Sequence, residues 1–275
     1  ELRKDQPSTL PLADRAALAA LVARATGDMP PEALREVFRE IYAACMSLEM
    51  PVPVAFVGPE GSVGHAAARS RFGVAAKFVG VEAPAAAFEE VARQRVHYAV
   101  APFETREDGP VQATITALMA VDLRIVAMFE AASNLQLMNR TGNAGDIETI
   151  YATASDHALC AKYLQASASK ARVMDVKSPL VACQLAQEDH GGAAIAMESF
   201  GAQFSLEVAH RNIRDDGDQR VRYAVVGSRP SSRTGNDLTA LLFSVHDSPG
   251  ALHEVLKQFA ERGINMTKIQ SRPAG

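Results

Sequence analysis

The sequence predicts an α/β fold on three observations. Between Val54 and Val226, short apolar runs alternate with stretches whose apolar residues recur every three to four positions. The connections are short and carry Gly, Pro, Asp and Ser, the residues that punctuate chain direction. Hydrophobic residues make up 48% of the 275, enough for a sizeable core. Such alternation implies a mostly parallel sheet covered on both faces, with ligands bound beyond the carboxyl ends of the strands. A region of this length has room to divide into two lobes with a cleft between them.

Residues 1 to 14 show no period and read as a frayed lead-in, and residues 15 to 26 read as a helix with Leu18, Leu21 and Val22 on one face. The stretch GDMPPEALREVFREIYAACMSLEM is a second helix. Asp28, Pro30 and Pro31 open it, and Glu32 places negative charge in its first turn. Leu34, Val37, Phe38, Ile41, Tyr42, Cys45 and Leu48 follow at helical spacing before Pro51 and Pro53 end it. The segment is too thin to hold a core, so it is expected to pack on a partner chain or on the next domain.

Strands are then expected at Val54–Val57, Lys77–Val81, Tyr98–Ala101, Leu123–Glu130, Thr149–Ala152, Ala171–Val176, Ala193–Ala196 and Arg222–Val226. Helices are expected at His65–Phe72, Ala83–Gln94, Gln112–Ala120, Ser155–Ala166, Pro179–Glu188 and Ser199–Phe204. A Ser/Gly/Pro-rich linker, Ser228 to Asp237, leads into a βαβ pattern. In it LTALLFSVHD and INMTKIQSRP read as strands around a helix closed by Gly263, with Leu252, Val255, Leu256 and Phe259 as its buried stripe. Two strands do not stand alone, so further strands or a neighbour are expected to complete that sheet.

The net charge of −4 argues against a nucleic-acid or anionic-membrane surface, and no apolar run reaches the ~20 residues of a membrane span. The first residue is Glu1 rather than Met, and no signal peptide is visible in the sequence. Cys45, Cys160 and Cys183 are few, odd in number and widely spaced, which fits reduced cytoplasmic thiols. His65, His97, His157, His190 and His210 show no metal spacing, so no metal is expected.

The turn Gly58-Pro59-Glu60-Gly61-Ser62 joins a strand to a helix. Its glycines permit positive φ and its N–H groups can point at an anion; it is neither a dinucleotide fingerprint nor a P-loop, and an ordinary tight turn is the plainer reading. APFETREDGP and GDQRVRYAVVG each put polar residues at one end of a strand. Arg222 is the best single candidate for gripping a carboxylate, since its planar fork suits that geometry. Near His157, Ser155 or Asp156 reads as a helix cap.

In this order the pieces resemble the bifunctional chorismate mutase–prephenate dehydratase family. PPEALREVFREIYAACMSLEMPVPVAFVGPEGS resembles the end of the mutase module running into the dehydratase, and GPEGSVGHAA the family's Gly-Pro-x-Gly-Thr/Ser turn. YAVAPFETREDGPV stands where the family has Pro-x-Glu-Asn-Ser, and RNIRDDGDQRVRYAVVG resembles its Thr-Arg-Phe segment. LLFSVHDSPGALHEVLKQFAERGINMTKIQSRP resembles the phenylalanine-sensing ACT domain. The resemblance implies a helical mutase-like remnant over 1–52, a two-lobed, periplasmic-binding-protein-like dehydratase domain over 53–229 with its site in the cleft, and the first half of an ACT domain over 237–275.

The implied reaction converts prephenate to phenylpyruvate, water and CO2 in phenylalanine biosynthesis. Aromatisation drives it, so no cofactor is needed; the protein fixes two carboxylates and protonates the departing hydroxyl. Implied catalytic residues are Glu104, Thr105 and Arg222, and implied substrate contacts Gly61, Ser62, Arg106, Ser155, Ser178 and Arg222. L-Phenylalanine is the implied effector, at Gly250, Ala251, Leu252, Gln270, Ser271, Arg272 and Pro273, in a homodimer. This chain departs from the pattern at several of these positions. The family's threonine before the arginine, its presumed acid, is Val221; Asn-Ser is Thr105-Arg106; His-Pro-Gln is Thr153-Ala154-Ser155; Ser-Thr is Ser178-Pro179. Losing one transition-state donor costs roughly 3–4 kcal/mol. Three readings follow: a dehydratase with a substitute acid (Glu104, Thr105 or His157), a non-catalytic phenylalanine-sensing or partner-binding homologue, and a non-aromatising prephenate decarboxylase. Chorismate mutase activity is not expected from this chain.

Overall fold

The structure, a computed structural model, describes residues 20, 22–49, 52–106, 109–168, 170–217, 220–231, 235 and 237–271. Half of the helix expected over 15–26 lies outside them, as do Arg272 and Pro273. The chain divides into two compact units between residues 232 and 233, inside the expected linker.

In the first unit, α1 (Pro31–Glu49) forms where the prolines and Glu32 predict it. Val37, Ile41 and Cys45 on its apolar side remain exposed. The Val74 N–H donates to Glu40 Oε2 at 3.0 Å, tying this helix to the following lobe.

The first lobe contains β1 (Pro53–Val57), α2 (Val63–Phe72), β2 (Lys77–Val81), α3 (Pro84–Ala92), β3 (Tyr98–Thr105), β4 (Gly109–Pro110), α4 (Gln112–Met119) and β5 (Arg124–Ala132). The second contains β6 (Gln136–Asn139), β7 (Thr149–Ala152), α5 (Ala154–Leu159), α6 (Ala161–Ser167), β8 (Arg172–Asp175), α7 (Pro179–Glu188), β9 (Gly192–Ala196), α8 (Glu198–Gly201) and β10 (Glu207–His210). The chain then returns to the first lobe as β11 (Arg220–Gly227). It therefore crosses between lobes twice, after β5 and after β10.

That return overturns the expectation of a mostly parallel sheet. The first sheet runs β2-β1-β3-β11-β5, with β4 on β3. β1 is parallel to β2 and β3, but β11 enters antiparallel to both β3 and β5. The second sheet, β10-β6-β9-β7-β8, is also mixed, with β7 parallel to β8 and β9 and β6 antiparallel to β9 and β10. Both sheets are covered on both faces. Along β1, Val54 and Phe56 join Ala67, Ala68, Phe72, Val221, Tyr223 and Val225 on one side, while Ala55 joins Phe88, Val91, Ala99 and Ala224 on the other. In the second lobe one cluster holds Leu135, Leu137, Ile150 and Cys160, and the other Met138, Tyr151, Ala182 and Cys183.

β6 and β10 were not predicted. The four residues of β6 are all buried, yet two are polar. Gln136 accepts the Asn212 N–H at 2.7 Å, a tertiary bond, and Asn139 accepts the Gly142 N–H at 2.7 Å in the turn that follows, so both side chains that break the apolar pattern are satisfied. The helix expected over Ser155–Ala166 is two helices meeting at Cys160. Asp215, from the second crossing, accepts the Lys162 and Tyr163 N–H groups at 2.8 and 2.9 Å and starts α6 afresh.

In the second unit, α9 (Ala251–Glu261) follows Gly250 at φ 86°, and the Ile264 N–H closes it on the Phe259 carbonyl at 2.9 Å. Among residues 237–271 neither expected strand is present. Leu238, Leu241, Leu242, Ile264 and Ile269 stand exposed, and the expected buried stripe is open too: Leu252 is exposed and Val255, Leu256 and Phe259 are half-buried. The physical reason is the ladder: strand backbone needs a paired neighbour, and a lone pair of strands is marginal in water.

Gly64 in the first turn of α2 is set against the end of β1, where an added Cβ would meet the Val57 carbonyl oxygen at 2.2 Å. Backbone cannot yield as a side-chain tip does. Gly64→Ala should therefore destabilise the first unit by about 2 kcal/mol, read as a lowered urea midpoint.

Candidate functional site

Gly61, Ser62, Ser155 and Ser178 stand where strands hand over to helices, whereas Glu104, Thr105 and Arg222 lie within strands. In the Gly58–Ser62 turn, Gly58 and Gly61 take φ 115° and 83°. Its donors turn inward. Gly58 N–H bonds the Val81 carbonyl, Ser62 N–H the Pro59 carbonyl, and Gly61 N–H His65 Nδ1 at 3.0 Å. Ser62 caps α2, its Oγ accepting the His65 N–H at 3.3 Å. Three N–H groups read as an anion floor are thus engaged within the turn.

His65 holds that arrangement. Its ring stacks on Phe56 with centroids 4.6 Å apart and lies edge-on to Phe78 at 5.3 Å. Because Nδ1 accepts from Gly61, the neutral ring is assigned its proton on Nε2. Burial, and then the Arg69 charge, lower its pKa to about 4.

The same turn meets the second lobe. A Cβ on Gly61 would come within 2.9 Å of the Leu180 backbone nitrogen, just inside α7. Ser178 caps α7, with its Oγ accepting the Val181 N–H. Val63 packs on the second-lobe cluster of Leu135, Ala152 and Cys160, while the Arg69 guanidinium sits 5.2 Å over the Phe200 ring. Gly61, Ser62 and Ser178 are thus brought to one lobe boundary. A groove of about 520 Å³ beside it is lined by Gly58, Pro59, Glu60, Gly80, Val81, Glu82 and Lys177.

Arg222 meets carboxylates of its own chain. Nη1 donates to Glu104 Oε2 at 3.1 Å and Nη2 to Glu130 Oε1 at 3.2 Å, both directly across from it in the sheet. Thr105 instead opposes Val221, so the three residues expected to be catalytic do not converge. Glu104 and Arg222 pair with each other. Val221 is buried among Tyr223, Val225 and Phe56 and offers no proton. Arg106 is exposed beyond β3, and His157 is exposed on α5.

A buried polar group that sequence reasoning missed lies where the chain crosses between lobes. The Arg214 side chain, 9% exposed, donates through Nε to Asp216 Oδ1 at 2.7 Å and through Nη2 to Asp216 Oδ2. Its Nη1 donates to Ser133 Oγ at 2.7 Å, so one guanidinium joins the two crossings. The Arg214 hydrogen bonds hold Asp216 below the usual carboxylate range. Burial drives the Cys160 thiol up to about 12, and nearby Asp156 adds to the rise.

Thr153, at the end of β7, caps α5 by accepting the Asp156 N–H at 3.1 Å. Its hydroxyl donates to Asp156 Oδ2 at 2.8 Å and lies 2.9 Å from Ser155 Oγ. Asp156 is 8% exposed, and burial raises its pKa against the pull of the Thr153 hydrogen bond and the Arg214 charge. The Arg214 charge also reaches Tyr223 on β11, whose phenol burial lifts to about 12. The Arg214 charge thus acts on Tyr223 in the first lobe and on Asp156 in the second. The run NIRDDGD, crowded with charge directly after a buried Ile213, was the available signal. Among the described residues no group of His, Cys, Asp and Glu is arranged to hold a metal ion, and no helix is long and apolar enough to cross a membrane.

Fold and site define a two-lobed α/β protein with polar residues collected at the lobe boundary, followed by a separate small unit. A family model for prephenate dehydratase matches residues 54–231, and one for the ACT domain matches residues 239–275. The chain belongs to the prephenate dehydratase family, with ACT-domain sequence at its C-terminal side. A bifunctional chorismate mutase/prephenate dehydratase from Aquifex aeolicus is 35% identical over 248 residues, covering 90% of this chain and 68% of that protein. A prephenate dehydratase from Arthrobacter aurescens, solved in complex with L-Phe, has a TM-score of 0.61 at 29% identity over 81% of this chain and 77% of its own. The Staphylococcus aureus prephenate dehydratase has a TM-score of 0.62 at 22% identity, over 81% and 84% of the two chains, a likeness of fold.

The His65 contact makes a pH-dependent contribution to stability. Between its folded pKa of about 4 and the unfolded 6.5, the unfolded chain binds a proton that the folded chain refuses. The contribution is complete above that window and lost as pH falls through it. His65→Phe keeps a ring but strands the Gly61 N–H, at a cost of about 1–3 kcal/mol. Urea unfolding from pH 4 to 7 should show the variant less stable at pH 7 and with a shallower pH slope than the parent.

Proposed function

We propose that this chain binds prephenate at the lobe boundary and converts it to phenylpyruvate, CO2 and water in phenylalanine biosynthesis. The two family matches in order, dehydratase then ACT, on a two-lobed α/β fold, are the observation that carries the reading. The reaction asks for no redox change. The bond to the ring carboxylate breaks, its electrons enter the ring, and the C4 hydroxyl leaves once protonated. Positioning and one proton are what the protein supplies. Gly61, Ser62, Ser155 and Ser178 stand at helix starts suited to polar contacts, and Arg106 lies at the exposed end of β3. Arg222 gives one hydrogen bond to each of Glu104 and Glu130 and, being exposed, keeps further N–H donors for a substrate carboxylate, which must compete with the charge of both glutamates. L-Phenylalanine acts at Gly250–Leu252 and Gln270–Pro273, by analogy with the neighbour solved in complex with L-Phe, and the reading includes a cytoplasmic homodimer.

A second reading, a non-catalytic phenylalanine-sensing or partner-binding homologue, is favoured by one observation: the acid position is Val221 inside the core, and its neighbour Arg222 spans two glutamates. One incubation with prephenate separates the readings. Phenylpyruvate formed at enzyme-like turnover supports the first, and stable prephenate supports the second. Loss of prephenate without aromatic product would mark a non-aromatising decarboxylase. Val221→Thr restores a hydroxyl beside Thr105 and should raise phenylpyruvate turnover several-fold. Millimolar L-phenylalanine should raise Tm, and an unchanged Tm would count against the effector assignment.

A further inference from the structure

Removing the proton donor at Val221 does not remove the need for a proton. A carboxyl group whose surroundings suit that task lies within reach of the Arg214 charge, which joins the two crossings between the lobes. We propose that Asp156 is the general acid of this chain, delivering the proton from Oδ1 to the departing C4 hydroxyl; this rests on the dehydratase reading above.

Four observations carry it. Asp156 sits at the carboxyl end of β7, the rim where α/β sheets place their ligands. It is 8% exposed, and while Oδ2 is held by the Thr153 hydroxyl at 2.8 Å, Oδ1 makes no hydrogen bond among the described residues. Capping of α5 is performed by Thr153 Oγ1, and the helix start engages Asp156 through Oδ2, which leaves Oδ1 for another task. Ser155, exposed and 2.9 Å from Thr153 Oγ1, brings a hydroxyl to the same rim.

The charges around Asp156 favour both halves of an acid's cycle. On its own helix boundary stands Cys160, a neutral thiol. From the second crossing come Arg214, Asp215 and Asp216, of which Asp215 is committed to the α6 N–H groups and Asp216 to Arg214. The first crossing contributes Ser133, which is uncharged and bonded to Arg214. Burial favours the protonated form before reaction, while Arg214 and the Thr153 hydroxyl stabilise the carboxylate afterwards. In the step, the bond from the ring carbon to its carboxylate breaks and CO2 leaves. The electron pair aromatises the ring as the C4–O bond breaks. The oxygen departs as water with the proton from Asp156 Oδ1, and solvent reprotonates Asp156.

The test uses the full chain and prephenate. Asp156→Asn keeps the shape and a group for Thr153 to bond. Phenylpyruvate kcat should fall about 10²–10³-fold with KM changed less than about threefold. Tm should stay level or rise, because a buried acid that costs stability has been removed; a purely structural Asp156 would lower it. In the parent, kcat should fall as pH rises through the Asp156 pKa, and this alkaline limb should vanish in the Asn variant. Asp156→Glu should move the limb and recover part of kcat, and an unmoved limb there overturns the assignment even if the Asn variant fails to fold. Parent turnover with kcat retained in Asp156→Asn overturns the acid while leaving the dehydratase reading intact. A parent that leaves prephenate unchanged overturns both.

Discussion

The guanidinium of Arg214 is the contact on which the two-lobed arrangement depends. Two lobes joined by two crossings need those crossings held side by side, or each lobe would settle independently. Arg214 does this from inside, with Asp216 on its own crossing and Ser133 on the other. A buried ion pair of this kind repays its desolvation only when its geometry is good and its other donors are used. Both conditions hold here, and taking away either partner would leave a buried charge uncompensated. The clamp also fixes electrostatics at the boundary, since one positive charge acts on Asp156 in the second lobe and on Tyr223 in the first.

Elements that obey local rules were legible in the sequence. β2, β7 and α7 have the bounds their apolar period and flanking turns predict. Local rules fail where distant residues decide. β6 holds Gln136 because Asn212, 76 residues on, supplies its partner, and α5 and α6 separate because Asp215 arrives from the second crossing. The direction of β11 is likewise set by topology. A strand returning after an entire lobe can be inserted either way, and its apolar pattern is the same in both.

The site was less legible than the fold for a related reason. Residue type predicts what a side chain can do, and its partners decide what remains for it to do. Arg222 has the right fork for a carboxylate, but β3 and β5 already place Glu104 and Glu130 across from it. The glycines at 58 and 61 have the predicted positive φ, yet the donors they orient close on Val81 and His65. In sequence Asp156 reads as a candidate cap and Arg214 is not singled out; burial is what sets both apart from ordinary surface charge.

Burial gives a direction to the remaining argument about chemistry. A carboxyl group placed at 8% exposure with one oxygen unbonded costs the fold stability, because the charged form loses water and gains only part of its pairing. Val221 shows the opposite balance, an apolar side chain adding to the core of the first lobe. In Asp156, Oδ2 takes the Thr153 hydroxyl and Oδ1 is left over, so the carboxyl carries a cost that the helix start does not fully account for. Buried, part-paired carboxyls of this kind cluster at functional sites. That is the ground on which Asp156 is proposed as the acid, with the Arg214 charge steadying its carboxylate.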